Sequence, residues 1–152
     1  MTSSVPVYKK PAASSLMIRD RMRAQRTKDT EAERALRSAL FRRGLRFRVN
    51  YKLAGLSRKT FDVVFPRAKV AVLVDGCFWH ACPIHATWPK ANADWWRNKI
   101  EENQRRDVAT NDALVAAGWT VVRVWEHVDP ETAAVRIVDL VRAPTRTLVT
   151  IT

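Results

Sequence analysis

The sequence predicts one α/β domain, a mixed central β-sheet flanked by helices, and three observations carry that prediction. Val70-Ala-Val-Leu-Val74 is an unbroken apolar run closed by Asp75-Gly76, the pattern of a central strand covered on both faces, where no polar alternation is needed. Before it, Leu45 to Tyr51 and Thr60 to Phe65 read as strands, the second joined to the central strand through the turn Pro66-Arg-Ala-Lys69 as an antiparallel pair. After it, a long helical stretch leads to one further strand, Trp119 to Trp125, so the helix makes a crossover.

Taken in order, residues 1–17 have no periodicity and read as a flexible arm, and 18–28 form a strongly basic segment in which Met22 is an isolated apolar residue. Thr30-Glu-Ala-Glu33 has the form of a capping box, with the Glu33 side chain returning to the Thr30 amide. Ala32, Leu36, Ala39 and Leu40 then recur at helical spacing, and Gly44 stops the helix. Asp94 is read as the cap of the long helix, Trp95 to about Ala117, and Gly118 as its end. On that helix Trp96, Ile100, Asn103 and Asp107 share one stripe. Its two polar members mean either that the stripe runs out to solvent or that it passes under a polar site. Pro130 opens a last helix with Val135, Val138, Leu140 and Val141 as its apolar residues, and the tail 144–152 carries no readable pattern. The folded domain is thus expected over 18–143.

Length and composition narrow the function. At 152 residues one core is enough and no disulfide scaffold is needed, while nothing approaches eighteen consecutive apolar residues and the N-terminus lacks the apolar centre of a signal peptide. The expectation is a cytoplasmic protein without a membrane partner, with reduced thiols. The net charge is +12, and all of the excess falls in residues 1–60, which hold 16 Lys/Arg against 4 Asp/Glu. Such asymmetry points to a polyanion, and first of all to nucleic acid.

The chemistry gathers after the central strand, in Asp75-Gly-Cys77-Phe-Trp-His80-Ala-Cys82-Pro-Ile-His85. Two cysteines can be plain buried hydrophobes, but Cys77, Cys82 and His85 in one turn are metal-like. His127 follows a strand that can lie beside the central one and would complete a closed, structural four-ligand zinc site. His80 is either a polar surface residue or, beside carboxylates, a general base for water attacking a phosphodiester with Mg²⁺ held by oxygen ligands. Asp62 interrupts an apolar strand, where a bare carboxylate is costly unless paired or bound to a cation.

Glu33, Asp62, the run Asp75-Gly-Cys-Phe-Trp-His80, the Trp95-Trp96 helix with Asn103 and Asp107, and Val124-Trp-Glu-His127 together resemble the very short patch repair mismatch endonuclease family, over roughly residues 18 to 130. The resemblance implies a restriction-endonuclease-like fold and a Mg²⁺-dependent nick 5′ of the thymine at T:G mismatches left by deamination of 5-methylcytosine. It assigns Mg²⁺ to Asp62 and the Val74 carbonyl, and the general base to His80. Glu33 and Asp107 hold metal-bound waters or orient the base, and Asp75 joins the catalytic set by position. Zinc falls to Cys77, Cys82, His85 and His127, an intercalating wedge to Phe78, Trp79 and Trp96, and further DNA contacts to Met22 and Arg23. It also implies a monomeric, nucleoid-associated prokaryotic enzyme with mismatched double-stranded DNA as substrate and other mismatch-repair proteins as partners. Two departures stand out: residue 75 is Asp where some relatives have histidine, with no lysine following in the acidic-x-Lys arrangement of restriction-like nucleases, and the stretch Ser57-Arg-Lys-Thr-Phe before Asp62 lacks the proline that often precedes this acid. A restriction-type nuclease acting on unmispaired DNA and a non-catalytic zinc-stapled DNA-binding module are the rival readings.

Overall fold

The computed structural model describes residues 28–85 and 89–152. The arm 1–17 and nearly all of the basic segment, with Met22 and Arg23, lie outside the described residues. The elements are α1 (Glu31–Arg42), β1 (Arg48–Lys52), β2 (Thr60–Phe65), β3 (Val70–Asp75), α2 (Ala93–Ala116), β4 (Thr120–Trp125), α3 (Pro130–Arg142) and β5 (Leu148–Ile151). They build one five-stranded sheet in the order β1-β2-β3-β4-β5. β1, β2 and β3 pair antiparallel, and β3, β4 and β5 pair parallel. β3 is therefore the strand where the two halves meet, as its apolar run predicts.

Helices cover both faces. On one, Leu36, Ala39 and Leu40 of α1 pack with Ala133, Ala134, Ile137 and Leu140 of α3 against Val63, Phe65, Val70, Val72, Val122, Val124 and Ile151. On the other, Leu114 of α2 packs with Trp119 against Phe61, Val64, Ala71, Leu73 and Val121. Truncating a fully buried member such as Leu40 removes methylenes that nothing refills, a loss of about 2–5 kcal/mol.

Four details differ from the sequence reading, each for a local reason. Strand β1 starts at Arg48, because Leu45 belongs to the end of α1: Gly44 donates to the Phe41 carbonyl at 2.9 Å and Leu45 to the Leu40 carbonyl at 3.3 Å, the paired bonds that close a helix on a left-handed glycine. α2 starts at Ala93, after Asn92 in left-handed geometry, so Asp94 complements the helix dipole from the first turn and is not the cap. In α3, Val135 faces solvent while Ala133, Ala134 and Ile137 are buried. Leu148–Ile151, read as featureless tail, adds β5 beside β4; four residues carry too little pattern to reveal it.

A carboxylate–histidine cluster beside a cysteine–histidine cluster

The C-terminal end of β3 and the N-terminal end of β2 meet at one edge of the sheet. There the backbone ladder between them stops at Val63 and Val72, and the next free amide, that of Val74, donates to Asp62 Oδ2 at 2.7 Å. Opposite Asp62 on the other side, Asn50 leaves the ladder with φ of +46°. Asp62 is mostly buried, and burial, helped by the nearby charges of Glu33 and Asp75, raises its pKa to about 6 against the hydrogen bond from Val74 and the charge of Arg37. A carboxylate this reluctant to stand alone is suited to a cation.

Glu33 caps its own helix only in part. The Thr30 hydroxyl accepts from the Glu33 amide at 3.3 Å, but the Glu33 carboxylate turns to the Asp29 amide at 2.9 Å, not to that of Thr30, and pairs with Arg37 at 3.1 Å. One acid thus satisfies the helix start and also faces Asp62.

Past Asp75 the chain turns back on itself: the His80 amide donates to the Gly76 carbonyl and the Cys82 amide to that of Cys77. The turn is tied to β4 by the Cys77 amide, which donates to Glu126 Oε1 at 2.8 Å. It presents His80 to α2, where His80 Nδ1 lies 2.6 Å from Asp107 Oδ2. Lys59 Nζ approaches the other Asp107 oxygen at 2.7 Å. Burial alone would raise the Asp107 pKa, but the hydrogen bonds from His80 and Lys59 and the charge of Arg123 outweigh it and hold the carboxyl well below the usual carboxylate range. An ionised Asp107 fixes the proton of the neutral imidazole on Nδ1 and leaves Nε2 to accept. Asp75 Oδ1 is 3.8 Å from that Nε2 and is gripped by Arg123 Nη1 through both oxygens, at 2.8 and 3.0 Å.

The stripe on α2 therefore passes under a polar site. Asp107 and Asn111 are buried, and Asn103 Nδ2 lies 3.5 Å from the Trp79 carbonyl. Beside it Phe78, Trp79 and Trp96, all half-buried, form a ring cluster with centroids 5.2 to 5.8 Å apart.

Cys77, Cys82, His85 and His127 converge next to this turn, each offering one ligand atom, all within 4.8 Å of one another. Cys77 Sγ and His127 Nδ1 are 3.3 Å apart, Cys82 Sγ and His127 Nδ1 3.7 Å, and Cys82 Sγ and His85 Nδ1 3.9 Å. Tetrahedral ligation at ordinary bond lengths sets neighbouring ligand atoms about 3.3–3.8 Å apart, so the four could hold one metal ion. Burial and the adjacent Cys82 sulfur push the Cys77 thiol up to about 12, while the amides of His85 and Ile84 outweigh burial and lower Cys82 to about 7. The bare pair keeps a proton that a cation would displace.

The structure thus brings Asp62, Asp75, His80 and Asp107 to one edge, with Glu33 against Asp62, and sets the cysteine–histidine cluster beside them. Sequence reasoning missed Lys59, Asn111 and Arg123. For Arg123 a signal existed: a guanidinium between Val122 and Val124, in a strand otherwise buried on both faces, requires a counter-charge.

Several known proteins are similar to this chain over much of its length. Residues 14–85 match the family described as DNA mismatch endonuclease Vsr, a span that includes α1, β1–β3 and the turn to His85. The Type II nicking enzyme V.NaeI of Lentzea aerocolonigenes is 46% identical over 121 residues, covering 78% of this chain and 72% of that protein. The Type II nicking enzyme V.XorIIP of Xanthomonas oryzae is 44% identical over 69% of this chain and 76% of its own length. The DNA mismatch endonuclease Vsr of Escherichia coli is 36% identical over 69% of this chain and 66% of its own. On that identity and coverage the chain belongs to the Vsr family of DNA endonucleases.

Proposed function

We propose that this enzyme, built on the restriction-endonuclease-like fold of its family, nicks double-stranded DNA 5′ of the thymine at T:G mismatches arising from 5-methylcytosine deamination. The observation that carries the reading is the His80–Asp107 pair at 2.6 Å, with His80 on the turn that also carries the half-buried Phe78 and Trp79. A DNA-binding module without catalysis has no use for that pair. None of the described helices is long and apolar enough to cross a membrane, and a monomer acting on DNA in the cytoplasm fits the reading.

In the mechanism, Asp107 holds the Nδ1 proton of His80, and Nε2 takes a proton from the attacking water as the water's oxygen forms its bond to phosphorus. Asp62, whose pKa is raised by burial, and the Val74 carbonyl would hold Mg²⁺, and Glu33, whose charge also raises the Asp62 pKa, is assigned to a water of that ion. When bound, the ion supplies charge to the phosphodiester and to the departing 3′ oxygen. Zinc suits the cluster of two thiolates and two imidazoles and would leave no position open for water, so its role is to fix the turn that carries Phe78, Trp79 and His80. Met22 and Arg23 are assigned to DNA contact, and the excess positive charge of residues 1–60 supplies the salt-sensitive grip.

The test compares nicking of T:G and T:A duplexes with Mg²⁺ at one salt concentration. Preference for T:G supports the reading. Equal rates favour the second one, a nuclease acting on unmispaired DNA, which gains weight from relatives named Type II nicking enzymes. His80→Ala should slow nicking by roughly 10²–10⁴-fold with DNA affinity unchanged. Wild-type turnover in that variant removes His80 from the chemistry.

Selectivity gives a further expectation. Opening a base step costs a few kcal/mol and a mispaired step less, so side chains that enter the duplex convert local weakness into preference. Trp79 lies against both Phe78 and Trp96 yet keeps part of its surface exposed. Trp79→Ala should fold and lose about an order of magnitude in the T:G to T:A ratio, near 1.4 kcal/mol. A drop in melting temperature with the ratio intact would instead make these rings a cover for the turn.

A further inference from the structure

Arg123 is buried to 7% exposure between two valines of β4, and among the described residues it faces Asp75, Asp107 and Asn111. Its Nη1 holds both oxygens of Asp75, and its Nε donates to Asn111 Oδ1 at 3.1 Å. Its Nη2 stands 3.2 Å from Asp107 Oδ1 but makes no hydrogen bond, an ion pair without directed geometry. The two carboxylates gathered in this way flank the same ring: Asp107 lies 2.6 Å from His80 Nδ1, and Asp75 lies 3.8 Å from His80 Nε2. Lys59, the other cation on Asp107, is far more exposed and has Asp107 as its ion-pair partner.

We propose that Arg123 is a positioning residue for nicking: by clamping Asp75 it holds that carboxylate just short of His80 Nε2, so that the nitrogen facing the water stays open. The inference rests on the reading of His80 as general base. A hydrogen bond forms below about 3.2 Å, so Asp75 needs to move by little more than half an ångström to engage Nε2. An imidazole with a carboxylate within hydrogen-bond distance of each nitrogen has no nitrogen left facing the water. Two forces compete for Asp75, and a charge-assisted contact from Nη1 at 2.8 and 3.0 Å, with Nε anchored on Asn111, outweighs an imidazole 3.8 Å away. A bare neutralising role would need only a charge nearby. The geometry here supplies a restraint on where the carboxylate points, so Asp75 is harmful to nicking only when Arg123 is gone.

The experiment uses the full chain in single-turnover nicking of the T:G duplex with saturating enzyme and Mg²⁺, with duplex affinity, melting temperature and a crystal structure of each variant. Arg123→Met should nick roughly 100-fold more slowly at unchanged duplex affinity, with Asp75 turned to within hydrogen-bond distance of His80 Nε2. Asp75→Ala combined with Arg123→Met, which leaves nothing to block Nε2, should return to within about tenfold of wild type. Arg123→Lys, the variant most certain to fold, should fall between, since one ammonium cannot hold both oxygens and reach Asn111 as well. The inference is overturned if folded Arg123→Met or Arg123→Lys nicks at the wild-type rate, if Asp75 stays in place when Arg123 is gone, or if the double variant is as slow as the single one. His80→Ala in the same assay separates the two levels: full activity there defeats the reading of His80 itself, whereas an inactive His80→Ala beside a fully active Arg123→Met defeats only the role given to Arg123.

Discussion

Asp62→Asn is expected to abolish nicking and, in metal-free protein at pH 7.5, to raise the melting temperature. The two effects have one cause. Asp62 sits mostly buried, near Glu33 and Asp75, and its folded pKa of about 6 lies above the 3.8 of a free side chain. Between those values the native state binds more protons than the unfolded chain, so stability falls as pH rises through the window and the whole penalty is present above it. Asparagine can still accept the Val74 amide, yet carries no charge to bury. Two pKa units correspond to about 2–3 kcal/mol, and in a chain of this size to roughly 5–10 °C. The same change removes the anchor for Mg²⁺ and should slow nicking by on the order of 10³-fold or more. Mg²⁺ should accordingly raise the melting temperature of the wild type and leave that of Asp62→Asn where it is. The account fails if the variant melts lower than wild type at pH 7.5, or if it still nicks.

The second large effect concerns the cysteine–histidine cluster. Purified protein should carry one zinc, and stripping it with a chelator, or replacing Cys82 with serine, should cost about 3–5 kcal/mol, or roughly 10 °C of melting temperature. Nicking should vanish with the metal even though no ligand is proposed to touch DNA. The turn from Gly76 to His85 has few backbone bonds of its own, so a metal joining its two cysteines and His85 to His127 after β4 would fasten its aromatic and histidine side chains. Elemental analysis that finds no zinc, with unchanged melting of Cys82→Ser, would sink the assignment.

How much of this was legible in the chain depends on the range of the interaction that decides each feature. β3, its antiparallel partner β2 and the crossover to β4 follow from local apolar runs. Asp62 and Asp107 could be singled out because each interrupts an apolar pattern, and such an interruption signals an unmet demand. Arg123 interrupts one just as plainly, but its meaning depends on Asp75 and Asp107, which no spacing along the chain connects to it. Lys59 carried no signal at all: a lysine in a loop looks solvated until its helix partner is known. Glu33 was read as completing a capping box, and its carboxylate in fact turns to the Asp29 amide, because Arg37 one turn along draws it there. β5 remained invisible since its pairing with β4, and not its own four residues, makes it a strand.

The parallel pairing of β3 with β4 across α2 also governs the order in which the working parts come into being. Asp75 is joined to Arg123 over 48 residues of chain and Cys77 to His127 over 50. Contacts of such separation form late and slowly, after helices and hairpins that need only their own neighbourhood. A ribosome that has released the first hundred residues has delivered the acids of β2 and β3 and the whole aromatic turn, but neither the cation that restrains Asp75 nor the last imidazole of the cluster. An incomplete chain of this kind holds the positive charge of residues 1–60 and lacks the assembled edge, so the charge and the edge come into being at separate stages of synthesis.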